Sequence, residues 1–173
     1  MTTVYRLQQG VRALVAFSQP VDLGLAERYL SQPLLALFQH MNRGEQLHSL
    51  AVLRDVLVQG DTPTDLAVAA LLHDVGKSRY PIDMWQKTLA VIVRRLVPSA
   101  YTRWSEGSAL NLWERPFVVY QQHPLWSAEL LRTAGASEVA CWLVAHHASC
   151  VETAPTPAQL EWLKRLQQAD DQN

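Results

Sequence analysis

The chain has 173 residues, 49% of them hydrophobic and 18% charged, with 15 Lys and Arg against 16 Asp and Glu for a formal net charge of -1. That near-neutral balance gives no electrostatic reason to expect a nucleic-acid polymer or an acidic membrane surface as partner, and the apolar content suits one ordinary globular domain over residues 1–173. No uninterrupted apolar run is long enough to span a bilayer. Arg6 and Arg12 interrupt the first apolar stretch, which lacks a small-residue cleavage pattern, so no secretory signal is expected and the cytoplasm is the expected location. The two cysteines, Cys141 and Cys150, form no C-x-x-C pair and read as free thiols.

In chain order, Val4, Leu7, Val11, Leu14 and Val15 have helical spacing up to Pro20. A short helix is expected over 22–30, and Pro33 opens another through His40. These N-terminal residues, 1–43, read as packing layers. Leu47, Leu50, Leu53, Leu57 and Val58 predict one side of a helix over 45–58, with His48 in its first turns and Gly60 as a stop. In Thr62-Pro63-Thr64-Asp65, Thr62 is expected to cap the next helix, Pro63 to take its first position and Asp65 to complete a capping box. That helix should run to His73 or Asp74, with Gly76 closing it in the left-handed conformation.

Apolar spacing predicts a further helix over 83–97, stopped by Pro98. Residues 99–115, rich in Trp and Arg, read as short helices or a lid. Pro116 starts a new helical stretch that His123-Pro124 is expected to break, with His123 capping a helix through Leu131. Gly135 ends that helix, Ser137 caps the next over 138–147, and Thr156-Pro157 opens the last. No segment alternates as a strand does. The expected fold is therefore all-α, with about seven to nine helices at typical lengths.

Five of the six histidines, His48, His73, His123, His146 and His147, fall at helix ends or on apolar helices. A histidine and a carboxylate side by side after the apolar run 66–72, His73-Asp74, are costly without a partner, and a divalent metal is one such partner. Asp170 follows Leu163 and Leu166 on the buried stripe of the last helix, whereas Asp171 is rotated away.

These residues, together with the continuation Asp74-Val75-Gly76-Lys77, resemble the HD-domain superfamily of metal-dependent phosphohydrolases over roughly residues 44–171. The signature of that family is a His, then His-Asp, then a distant Asp, here His48, His73, Asp74 and Asp170. His123-Pro124 and His146-His147 are similar to the branch that holds two metals. The resemblance implies a compact helical bundle with a metal-binding core over 44–171. It also implies a phosphohydrolase that cleaves a phosphate ester of a small molecule, nucleotide or nucleotide-like, with a metal-activated hydroxide.

In a two-metal arrangement Asp74 bridges. His48, His73 and Asp170 hold one ion, and His123, His146 and His147 the other. Adjacent on a helix, His146 and His147 cannot point the same way, so His147 stands either as ligand or facing substrate. Imidazoles and carboxylates without thiolates favour Fe or Mn and admit Zn, Ni, Co or Mg, as one ion or two. Lys77, one turn past Asp74, is a candidate for the catalytic phosphate contact or, alternatively, a cation at a helix C-terminus. Arg94, Arg95, Arg103 and Arg115 are candidates for further phosphate contacts. Two other readings use the same residues: a di-iron oxygenase on this scaffold, and a non-catalytic nucleotide-binding signalling domain. The Gly-Tyr-Pro segment of the branch that cleaves cyclic di-guanylate is absent, and Tyr80-Pro81 stands in that region.

Overall fold

The computed structural model describes residues 20–173; the helix expected over 4–17 lies outside them. Nine α-helices and one short 3-10 helix, with no strand, make up the described residues. They are α1 Leu23–Glu27, α2 Gln32–His40, α3 Arg43–Val58, α4 Thr64–Leu72, the 3-10 helix Val75–Arg79, α5 Met84–Leu96, α6 Pro98–Ser105, α7 Arg115–Thr133, α8 Glu138–His146 and α9 Pro157–Gln172. None is long and apolar enough to cross a membrane.

α4 forms the centre. Every residue from Leu66 to Leu72 is buried, because α3, α8 and α9 all pack around it. A helix enclosed on all sides is apolar on all sides, which explains why its sequence shows no polar face. Leu50 and Leu53 of α3, Leu143 and Val144 of α8, and Leu163 and Leu166 of α9 complete the core. Val58, expected on the same side, lies at the end of α3 and is 87% exposed. A second, smaller core joins Ala90 of α5, Tyr101 of α6 and Phe117 of α7.

Three local expectations are corrected. Pro63, not Thr62, stands at the cap of α4, with extended ψ of 149°, and the Thr62 hydroxyl instead donates to the Gly60 and Val56 carbonyls. Asp65 accepts a hydrogen bond from Ser137 Oγ at 2.6 Å, tying the start of α4 to the start of α8.

Gly76 does not take a left-handed conformation; only Gly60 and Gly135 have positive φ among the described residues. Gly76 lies inside the 3-10 helix, where a Cβ would stand 2.4 Å from the His123 carbonyl oxygen and 2.7 Å from Ser127 N. It is glycine because the 3-10 helix is pressed against α7, and its N–H donates to Ser127 Oγ at 2.7 Å.

His123-Pro124 does not break the chain. α7 runs unbroken from Arg115 to Thr133 with Pro124 inside it. Proline removes the N–H that should bond the Tyr120 carbonyl. His123 Nδ1 replaces that donor, 2.9 Å from Tyr120 O and 3.1 Å from Val119 O.

Long-range polar ties set the position of α9. The Arg165 guanidinium donates to the carbonyls of Asp61 at 2.7 Å and Val56 at 3.0 Å, and Gln167 Nε2 donates to those of His147 at 3.0 Å and Ser149 at 2.8 Å. These ties fix the register that brings Asp170 against α3 and α4.

Candidate metal centre

Asp74 sits at the junction of α4 and the 3-10 helix, with φ -99° and ψ 0°, and its carboxylate is almost fully buried. One oxygen, Oδ2, faces His73 Nε2 at 3.5 Å, His48 Nε2 at 3.9 Å and Lys77 Nζ at 2.5 Å. The other, Oδ1, faces His123 Nε2 at 3.2 Å and His147 Nε2 at 3.8 Å. Asp170 Oδ1 closes the first side, 3.0 Å from His48 Nε2 and 3.5 Å from His73 Nε2. On the second side His123 Nε2 and His147 Nε2 are 3.3 Å apart. Among the described residues, three overlapping groups have ligand atoms within 4.8 Å of one another and could hold a metal ion: His48, His73 and Asp74; His73, His147 and Asp170; Asp74, His123 and His147.

The backbone fixes the imidazole tautomers. His73 Nδ1 lies 3.0 Å from Ala70 O, His147 Nδ1 lies 2.7 Å from Val144 O, and His123 Nδ1 bonds Tyr120 O. A carbonyl only accepts, so each Nδ1 carries a proton and each Nε2 is turned toward the Asp74 carboxylate. On the second side the Nε2 atoms of His123 and His147 converge with Oδ1 of Asp74. Imidazole nitrogens and a carboxylate oxygen gathered in this way fit a metal ion in their donor chemistry.

The electrostatics divide the site in the same way. Burial pushes His73 down, but Asp74 and Asp170 outweigh it and raise its pKa to about 9. Burial, reinforced by His73 and His123, lowers His147 to about 3. Burial also works against the Asp74 carboxylate, yet Lys77, His73 and His123 hold it well below the usual range. For Lys77 burial is outweighed by Asp74 and Glu45, which raise it. Asp170 is lowered because the hydrogen bonds from His48 and His73 exceed the cost of its burial.

Of the candidate residues, His48, His73, Asp74, His123, His147, Asp170 and Lys77 are brought together. His146 is placed elsewhere: its ring stacks on Trp142 at 4.6 Å, and its Nδ1 lies 2.8 Å from Trp142 O. The end of α8 therefore turns His147 inward and His146 away from the cluster. Arg115 Nε donates to Ala109 O at 2.8 Å and braces the 106–114 turn. Arg95 and Arg103 are exposed on α5 and α6. Arg94 lines a cavity with Tyr120, Pro124 and Ala148.

Sequence reasoning missed Glu45 and Lys87, which form an ion pair beside Lys77. They line a cavity of about 230 Å³ with Lys77, His40, Asn42 and Ile82. Asn42 followed by Glu45 has the spacing of a helix start, and Asn42 Oδ1 does accept from Glu45 N at 3.0 Å. The Glu45 side chain, however, turns to Lys87 of α5, a pairing that no local pattern announces.

The family model described as HD domain matches residues 46–171, and the chain belongs to this family. Most HD domains are metal-dependent hydrolases, which agrees with a cluster able to hold a metal ion. No curated protein and no solved structure matches the chain.

Proposed function

We propose that this protein is a metal-dependent phosphohydrolase that cleaves a phosphate ester of a small, nucleotide-like molecule. The observation that carries this reading is the convergence of imidazole Nε2 atoms on both oxygens of one buried carboxylate, Asp74, with the Lys77 ammonium alongside. In this reading His48, His73, Asp74 and Asp170 hold one divalent ion, Fe or Mn by preference, and Asp74, His123 and His147 hold a second. Ions bound there supply Lewis acidity toward a phosphoryl oxygen and make water a stronger nucleophile near neutral pH.

The chain's own residues do the rest. The anchored Nδ1 groups hold the imidazole edges in place before substrate arrives, so little reorganisation is needed. Lys77, pinned to Asp74 in the structure, is partly exposed toward the 230 Å³ cavity and can donate to a phosphate oxygen entering from that side. Burial of His73, Asp74, His123 and His147 keeps bulk water from the inner edge of the site. His48 and Asp170, 23% and 30% exposed, form its open edge.

The test is phosphate release from a panel of nucleotides and sugar phosphates by protein loaded with Mn or Fe. Wild type should turn over at least one substrate, and His73→Ala should abolish that activity. Full activity in His73→Ala, or oxygen-dependent turnover without phosphate release, contradicts the reading.

A further inference from the structure

Arg94 belongs to a second cavity, about 280 Å³, lined also by Tyr120, Gln121, Pro124, Ala148 and Ser149. Pro124 and Ala148 are the chain neighbours of His123 and His147, and the Tyr120 ring is 6.3 Å from that of His123. The cavity thus draws its wall from the stretches of chain that carry His123 and His147.

The guanidinium is held by aromatic faces. Its Cζ is 5.4 Å from the Tyr120 ring centroid and 5.9 Å from that of Tyr101, and Nη1 donates to the Tyr120 hydroxyl at 3.3 Å. Among the described residues no carboxylate pairs with it. Stacking on rings leaves the N–H edge of an arginine free for a planar or tetrahedral anion.

Lys87 gives the contrast within the same helix. Seven residues before Arg94 on α5, it falls on the same face about 10 Å away along the axis. There the charge is already met by buried Glu45. One end of this face is neutralised, and the other presents a positioned cation with no anion.

We propose that the Arg94 cavity is a second anion subsite, so that the ligand carries an anionic group in addition to the phosphate at Asp74 and Lys77. The inference rests on the phosphohydrolase reading for where the first phosphate sits, and it narrows the substrate class to small molecules with two separated anionic groups, such as a bisphosphorylated nucleoside. Arg94 is a specificity residue, and Tyr101 and Tyr120 position it.

The experiment is calorimetric titration of the full, metal-loaded chain with adenosine 5′-monophosphate and with adenosine 3′,5′-bisphosphate, which differ by one phosphate. Wild type should bind the bisphosphate about tenfold or more tightly, the effect of one charge-assisted contact. Arg94→Ala should remove that preference while leaving monophosphate affinity unchanged, and Arg94→Lys should restore part of it. Arg95→Ala, which removes the same charge from a residue lining neither cavity, should keep the preference. Equal affinities in wild type, binding of neither probe, equal loss of both in Arg94→Ala, or an equal effect of Arg95→Ala overturns the inference. Turnover is a separate readout. A chain that keeps the Arg94-dependent preference but hydrolyses nothing fails the phosphohydrolase reading alone, whereas His73-dependent hydrolysis without the preference fails the subsite alone.

Discussion

The two sides of Asp74 are built from similar residues and behave differently. On the side of His48 and His73 a second carboxylate, Asp170, is present, and the pKa of His73 is raised to about 9. A proton on His73 can therefore stand where a metal ion would, shared among Asp74, Asp170 and His48. On the side of His123 and His147, burial with the neighbouring His73 and His123 lowers His147 to about 3. There the low value keeps the His147 imidazole neutral at ordinary pH. In the proposed reading a metal ion on the first side would replace a proton on His73, whereas on the second side His147 would have none to lose. Binding on the first side would then depend on pH.

The sharpest way to break this comparison is to remove one ligand from each side. In the proposed phosphohydrolase, Asp170→Ala and His147→Ala should each lower hydrolysis by about a hundredfold or more, roughly 2.7 kcal/mol in the barrier. His146→Ala, one residue away but turned onto Trp142, should cost less than about tenfold. Initial rates under saturating metal check all three, and an effect of His146→Ala equal to that of His147→Ala would reverse the assignment.

Gly76→Ala probes what holds the two sides together, since the added Cβ meets backbone atoms of His123 and Ser127. It should destabilise the fold by about 1–3 kcal/mol, as overpacking does, and push the 3-10 helix carrying Lys77 away from α7. Chemical denaturation measures the first effect. Unchanged stability would mean that the approach of these elements is not tight.

The smallest effect is in pH. With metal removed, His73 contributes stability that is fully present below its unfolded value of 6.5 and lost as pH rises through about 9. His147 contributes in the opposite sense: its stability is present above 6.5 and lost as pH falls toward about 3. Asp170, lowered from 3.8, adds to the acid-side loss. The melting temperature of chelated protein should therefore peak near neutral pH and fall on both sides. Metal should flatten the alkaline limb, because a ligating His73 has already given up its proton. An alkaline limb unaffected by metal would argue against ligation by His73.

Much of this was legible in the sequence, for reasons that residues make plain. The apolar run 66–72 announced a helix, and the stripe of Leu163 and Leu166 pointed to the inward side of the last helix, where Asp170 is 30% exposed and meets His48 while Asp171 is exposed. Capping signals at Ser137 and Thr156 worked because they are local: each side chain accepts from a backbone N–H three residues on.

What the sequence hid depends on tertiary partners. Pro124 reads as a break until His123 is seen to supply the donor that proline lacks. Gly76 reads as a helix stop until α7 is seen against it. His146 and His147 are equivalent as letters and are separated only by the rotation of α8. Glu45 and Lys87 meet across 42 residues, and no periodicity reports that meeting.

The most direct test of the central claim, that Asp74 joins two cation sites, is metal content per chain by elemental analysis of protein purified without oxygen. Wild type should hold about two equivalents of Fe or Mn, and Asp170→Ala and His147→Ala about one each. Asp74→Asn should hold none. Wild-type protein that takes up no metal, or an Asp74→Asn variant that keeps both ions, would contradict the account.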